Sequence, residues 1–386
     1  MTLIRKIILL FGFLGAPLLS TAQEKSFDGA EGFGAHATGG RGGVMYHVTH
    51  LGDAGPGSLR DAVSQGPRTV VFDVGGYVPL ESILHIASDI TLNGDTAPGD
   101  GVGTRNYEVS LSGSHNIIIR YLRIRQGDTG QKQNKKSAVA INRGGNIMLD
   151  HLSIEFGRWE NIDMTQSRDI TVQNSIIGNG IAPQRFGCLC ESENVTFSHN
   201  LWINNHGRNP KGKGNIQFIN NIVYNWQVGG YSLGHSAGKF KHDIIGNYFI
   251  AGPVSGDHRA FYEANPNASV YQTGNYVDYD LNGLLDGTVM TEAEFGNMTP
   301  LQSPWATGTA APPVAVTIDS AQSAYAKVMA GVGCSLHRDS VDTAIVADLM
   351  SLGEKGKLLD SQEQMGGFGT LNGVSGGGAA TTQAIR

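Results

Sequence analysis

Cysteine is scarce in this chain: three residues in 386, Cys188, Cys190 and Cys334. An odd, small count excludes a disulfide framework as the source of stability. Cys188 and Cys190 stand two apart, so on a strand they point to one face. One bridge to Cys334 and free buried thiols both stay open. Cys-x-Cys without a further Cys/His cluster is a weak metal signal, outweighed by packing. Charge is sparse too, with Asp, Glu, Lys and Arg at 16%. Aromatics reach only 8% and the formal net charge is −6, which argues against a nucleic-acid partner. After the first residues no apolar run is long enough to span a membrane. The sharpest absence is local. From Asn194 to His242 there is no Asp or Glu, while His206, Arg208, Lys211 and Lys213 fall inside that stretch.

The opening residues MTLIRKIILLFGFLGAPLLSTAQ carry Arg5 and Lys6, then an apolar run of about a dozen residues, then small residues near Ala22. That pattern predicts a signal peptide over 1–22 and a secreted or periplasmic protein. The rest is rich in glycine, 54 residues, about twice the usual share. Many short strands joined by tight bends account for this better than helices do.

Six segments share one pattern, a polar start, a β-branched run, a mid-segment Asn or Asp and a second apolar run: 115–125, 145–156, 168–180, 193–205, 214–226 and 241–252. Their mid-segment residues Asp150, Asn174, Asn200, Asn221 and Asn247 are spaced 24, 26, 21 and 26 apart. A period in the low twenties with strand-turn-strand content predicts a solenoid. The asparagines are then structural, stacked at bends where Asn tolerates left-handed backbone. The repeats lie in a domain over 23–290, with a short helix around Ser58–Ser64 capping its open end. Residues 291–386 form an extension. Asp319 or Ser320 can cap one helix and Ser340 another that carries Val341, Ile345, Leu349 and Leu352 on one face. These helices are expected to pack on the flank, and the tail 375–386 to be disordered.

A solenoid sets rows of side chains about 4.8 Å apart, a surface suited to an extended polymer. Cations in an acid-free stretch call for a polyanion, and export favours an acidic polysaccharide over DNA. Guanidinium pKa lies above about 12. A crowd of cations without acids would lower it, which predicts an alkaline optimum if Arg208 acts as a base. Lys211 or Lys213 is the alternative base, because lysine shifts more readily.

The segments EGFGAHATGGRGG (31–43), VTHLGDAGPGSLRDAV (48–63), VVFDVGG (70–76), GDTAPGDG (94–101), IIIRYLRIRQGD (117–128), LDHLSIEF (149–156), HNLWINNHGRNP (199–210), NNIVYNW (220–226) and HRDSVD (337–342), in this order, resemble the pectate lyases of polysaccharide lyase family 1, and especially their secreted bacterial branch. The resemblance implies an all-β, right-handed parallel β-helix and β-elimination on a uronic-acid polymer, with pectate the leading substrate. It sets Arg208, in the Arg-x-Pro motif, at the position of the family's base. Lys213 and Arg185 fall near the family's substrate-binding cations, and His206, Lys211 and Lys136 join them as candidates. Glu160 and Asp163 fall where the family places two Ca2+ ligands, and Asp128 can add an oxygen. A further expected aspartate falls on Ser137, with Lys135 and Lys136 beside it. Related pectin lyases replace calcium with positive side chains, a role open to Lys136, but calcium is favoured here. Asp150-His151 matches a family motif that is structural. Trp159, Trp202 and Trp226 offer sugar-stacking faces, with core packing as the default. The expected molecule is a monomer. Two other readings stay open: a hydrolase using two of Glu155, Glu160 and Asp163, and a non-catalytic carbohydrate-binding solenoid.

Overall fold

The computed structural model describes residues 23–130, 136–234, 237–256, 259–263 and 265–373. The expected signal peptide, Lys135 and the tail 375–386 lie outside the described residues.

Strands stack coil upon coil. A ten-stranded sheet holds nine parallel strands from Gly76–Pro79 to Tyr276–Asp278, closed by Thr288–Val289 running antiparallel. A seventeen-stranded sheet contains two parallel ladders, fused because Glu160–Gln173 and Phe186–Ser198 run through the bend and belong to both. The result is a parallel β-solenoid of about nine coils.

The repeated β-branched residues explain the stacking. Ile90, Ile117, Ile147, Ile170, Val195, Ile216, His242 and Val270 align through the register into one buried row. Each buried aliphatic side chain stabilises the stack by about 1.5–3 kcal/mol. The bends use left-handed backbone at Tyr121, His151, Asn174, His199 and Asn220, with φ between 50° and 55°. The next residue in each bend forms the internal ladder. The N–H groups of Ser175, Asn200, Asn221 and Asn247 donate to the Oδ1 of Asn200, Asn221, Asn247 and Asn275 in turn. The expected stack is thus offset at its start. Ser175, not Asn174, is the mate of Asn200, because Asp150 aligns with Gln173 and Asn174 occupies the bend. Asn174 instead donates to Asp150 at 2.9 Å. Burial alone would raise the Asp150 carboxyl, but His151, Arg120 and Asn174 hold it down at about 2, a packed structural pair.

A helix over Leu59–Ala62, capped by Ser58, buries Leu59 and Ala62. Helix Ala321–Gly331 starts from Ser320, and helix Ser340–Met350 is capped by Asp339 rather than Ser340. Val328, Val341, Ile345 and Leu349 pack on Ile176, Leu201, Ile203 and Tyr248 of the ten-stranded sheet. Their neighbours Ile177, Trp202 and Phe249 face the solenoid core, as strand alternation requires. Beneath the second helix, fully buried Arg125 pairs with Glu155, Asp339 and Asp342. That is the structural reason for the HRDSVD segment.

All three cysteines are free and buried. The bridge to Cys334 is not formed. Cys188 and Cys190 face the solenoid core, whereas Cys334 lies under the C-terminal segment with its N–H on Ser153. Trp202 and Trp226 are fully buried, so they pack the core and present no face to a sugar.

Candidate active site

Strand alternation builds the site. Ile162, Met164, Cys188 and Cys190 point into the core, so Asp163, Thr165, Leu189 and Glu191 point outward. Register then stacks Asp163, Leu189, Lys211, Ser232 and Tyr262 in one outer row. Thr165 and Glu191 begin the next row, which Lys213 continues.

Arg208 reaches this face from the loop between Leu201–Ile203 and Lys211–Gly212. Its backbone is left-handed, with φ 58°. The loop is pinned from below by buried amides. Asn205 donates to the Ile177 carbonyl at 3.0 Å and to Asn209 Oδ1 at 2.9 Å, and accepts from Asn161 at 3.1 Å. The Arg208 carbonyl accepts from Cys188 N–H at 2.7 Å. Gly187 permits that approach, since a Cβ there would sit 2.5 Å from the same carbonyl oxygen. The guanidinium lies 3.8 Å from the centroid of the Phe186 ring and pairs with Glu160. Its side chain is 24% exposed, against 1% for Glu160.

The premise of a cation crowd without acids fails in three dimensions. Neighbouring coils bring a carboxylate to each cation. Arg208 meets Glu160, Lys213 meets Glu191, and Lys211 Nζ lies 2.7 Å from Glu263. Lateral neighbours in a solenoid come from one or two coils away, so a gap in the sequence is not a gap in space. Lys136 Nζ stands 3.6 Å from buried Glu108. Ser137 donates to Glu160 Oε2 at 3.3 Å, so the residue found in place of the expected aspartate supports the first carboxylate.

These acids are held under electrostatic pressure. Burial, opposed by Arg208 and reinforced by Asp163, pushes the Glu160 carboxyl up to about 7. Burial also raises Asp163, with Glu191 adding to it and a hydrogen bond from Thr165 opposing it. Burial raises Glu108 against the pull of Lys136. Carboxylates that raise one another's pKa are a setting that a cation relieves.

Other candidates sit apart from this cluster. Arg185 donates to the Leu359 carbonyl at 2.7 Å and pairs with Asp360, so the C-terminal segment engages it. Asp128 accepts from Gln362 at 2.8 Å. His206 bonds Gln227 at 2.5 Å and meets Phe186 edge-on at 5.5 Å. Trp159 is half-buried in the loop before Glu160. Glu155 is fully buried against Arg125, which removes it from any pair of hydrolytic carboxyls facing a substrate. Phe186, Glu108, Glu191 and Glu263 escaped the sequence reading. The solenoid period was the signal: Glu191 precedes Lys213 by 22 residues, one coil.

No protein-family model matches the chain. Fold and face together define a class: a parallel β-solenoid with rows of paired cations and carboxylates along one ladder. Curated relatives narrow it. Probable pectate lyase C of Aspergillus fumigatus is 43% identical over 353 residues, spanning 90% of this chain and 82% of that protein. Its namesake from Emericella nidulans is 40% identical, spanning 92% and 82%. The chain belongs to the pectate lyase family. These relatives are fungal and lend no support to the expected bacterial branch. Solved structures share the fold. A pectate lyase from Bacillus sp. N165 in complex with trigalacturonate gives a TM-score of 0.56 at 17% identity, over 79% of this chain and 98% of that one. A pectate lyase bound to hexasaccharide gives 0.58 at 13% identity, over 83% and 100%.

Proposed function

We propose that this chain is a secreted, monomeric carbon-oxygen lyase that cleaves pectate by β-elimination, with Arg208 as base and the solenoid over 23–290 carrying the chemistry. One observation carries the assignment: a partly exposed guanidinium, fixed over Phe186, beside two carboxylates of raised pKa.

Glu160 and Asp163 suit a divalent cation, since their charges oppose each other and Glu160 is held by a serine hydroxyl. Among the described residues no third carboxylate converges with them, so a cation held by Glu160 and Asp163 would need further oxygens from substrate and water. Calcium bound there would supply positive charge beside the sugar carboxylate and acidify the C5 hydrogen. Lys211 and Lys213 exchange Glu263 and Glu191 for substrate carboxylates and hold the polymer along the row. Arg208 exchanges Glu160 for the reacting sugar. A nitrogen of its deprotonated guanidine takes the C5 proton, the C4=C5 double bond forms and the C4–O bond breaks. The departing oxygen takes a proton from water. Arg185 and His206 flank the face at the C-terminal segment and Lys136 at the opposite coil.

The test is ultraviolet absorbance of the unsaturated product on polygalacturonate. The signal should grow with calcium, vanish with chelator and return when calcium is restored. Flat absorbance on polygalacturonate and methylated pectin alike would contradict the assignment. New reducing ends without absorbance would mark a hydrolase, and polymer retention without either product a binding protein.

A further inference from the structure

The last coil ends in a hairpin, with Tyr276–Asp278 pairing antiparallel with Thr288–Val289. The residues between read YDLNGLLDG. Counted from Asp278 as one, Asp280 stands at three, Asn282 at five, Gly283 at six and Asp286 at nine. Oxygen-ligated calcium loops set their first donors at this spacing, with a glycine sixth for the sharp turn. Gly283 makes that turn with φ 76°.

The side chains converge. Carboxylate oxygens of Asp278, Asp280 and Asp286 lie within 4.8 Å of one another. Asn282 reaches into the same space, its amide nitrogen 2.8 Å from Asp280 Oδ2 and 3.1 Å from Asp286 Oδ2. A second observation points to a ligand. Asp278 is only 5% exposed, and among the described residues its Oδ2 has no hydrogen-bond partner. A buried carboxylate oxygen without a donor is costly. Its carboxylate is one of the three that converge; Asn282 already donates to Asp280 and Asp286, and a cation is the partner that would satisfy Asp278 as well.

We propose that this loop is a structural calcium site. Its ligands are the carboxylates of Asp278, Asp280 and Asp286 and the main-chain oxygen of Leu284, the seventh residue, joined by Asn282 Oδ1 once the amide turns from the Leu284 N–H, whose hydrogen bond it accepts at 2.7 Å. Val289 occupies the twelfth position, where tighter loops carry a bidentate glutamate. Water completes the shell, and the affinity falls at the weak end for such loops, about 10⁻⁴–10⁻³ M. Bound calcium locks the hairpin next to Asn275, the last rung of the asparagine ladder, and protects the terminal edge of the stack.

The test uses the full chain and calcium alone. Calorimetric titration and the unfolding midpoint are compared for wild type, Asp280→Asn/Asp286→Asn and Glu160→Gln/Asp163→Asn. Asp280 and Asp286 are exposed, so the first variant should keep its fold, checked by circular dichroism. The single Asp286→Asn variant serves if the double one does not fold. The loop variants should bind one calcium ion fewer per chain, or bind it at least tenfold more weakly, and lose the calcium-dependent rise in midpoint. The Glu160→Gln/Asp163→Asn variant should keep that rise. A loop variant with wild-type stoichiometry, affinity and midpoint shift would overturn the proposal, as would a wild type that neither binds nor is stabilised at about 10 mM calcium.

Discussion

Arg208 and Glu160, 48 residues apart in the chain, form an ion pair across two coils of the solenoid. The pair ties the guanidinium to its own coil stack, so in the proposed reaction Arg208 must leave this carboxylate before it can reach a sugar. Glu160 is thus the partner that restrains Arg208 and, in the proposed function, also a carboxylate that would hold the cation.

Glu160→Gln should raise the calcium concentration needed for half-maximal turnover by at least about tenfold. Initial rates over a calcium series check this. In the wild type the carboxyl, raised to about 7 from 4.5, must ionise to hold the cation. Calcium affinity should thus climb as pH rises through neutrality. Without calcium the sign reverses for stability. The contribution of the protonated carboxyl is present below pH 4.5 and lost as pH rises to about 7.

Ser137→Asp places a third carboxylate against Glu160, in a position only 1% exposed. In chelator the variant should melt below the wild type, because two buried like charges repel. With calcium it should bind at least about tenfold more tightly, since a further anionic oxygen completes the shell. Melting curves with and without calcium test both halves.

His242 sits in the aliphatic row, fully buried, with Tyr231 as its hydrogen-bond partner at 2.8 Å. Burial lowers its pKa to about 3 from 6.5. Neutral His242 contributes stability that is fully present above pH 6.5 and lost as pH falls through about 3. The loss is roughly 3–5 kcal/mol by linkage. His242→Phe should flatten the fall of the unfolding midpoint below pH 6.5; an unchanged acid slope would place the acid sensitivity elsewhere.

Asn221→Ala removes the Oδ1 that accepts from Asn200 N–H at 3.1 Å and the amide that donates to the Phe197 carbonyl at 2.9 Å. Both orphaned groups are buried in the stack, and each costs about 1–3 kcal/mol. Denaturant unfolding should show a loss of that order with an unchanged slope.

Much of the fold was legible because a solenoid repeats its physics. β-branched runs, Asn bends and a period in the low twenties are local signals, and Ser320 announced its helix. The exact rung was not legible: Asn174 and Ser175 are adjacent, and only the register tells bend from ladder. Motif alone nominates Arg208, Glu160 and Asp163, and the fold brings them together, but their electrostatics depend on neighbouring coils. The acid-free stretch looked uncompensated because Glu191 and Glu263 enter from one and two coils away, 22 and 52 residues distant. The engagement of Arg185 and Asp128 by the segment around Leu359–Gln362 depends on tertiary docking that no local pattern encodes.

The central claim is that the Arg208 guanidine removes the sugar proton. Arg208→Lys keeps a cation at the site and changes the proton acceptor. Its initial rate of ultraviolet absorbance on polygalacturonate, at saturating calcium and across pH, is the direct measurement. The account predicts a fall of about 10²–10⁴-fold in turnover, with the residual activity displaced toward lower pH by lysine's lower pKa. A variant with wild-type turnover and an unshifted pH profile would contradict it.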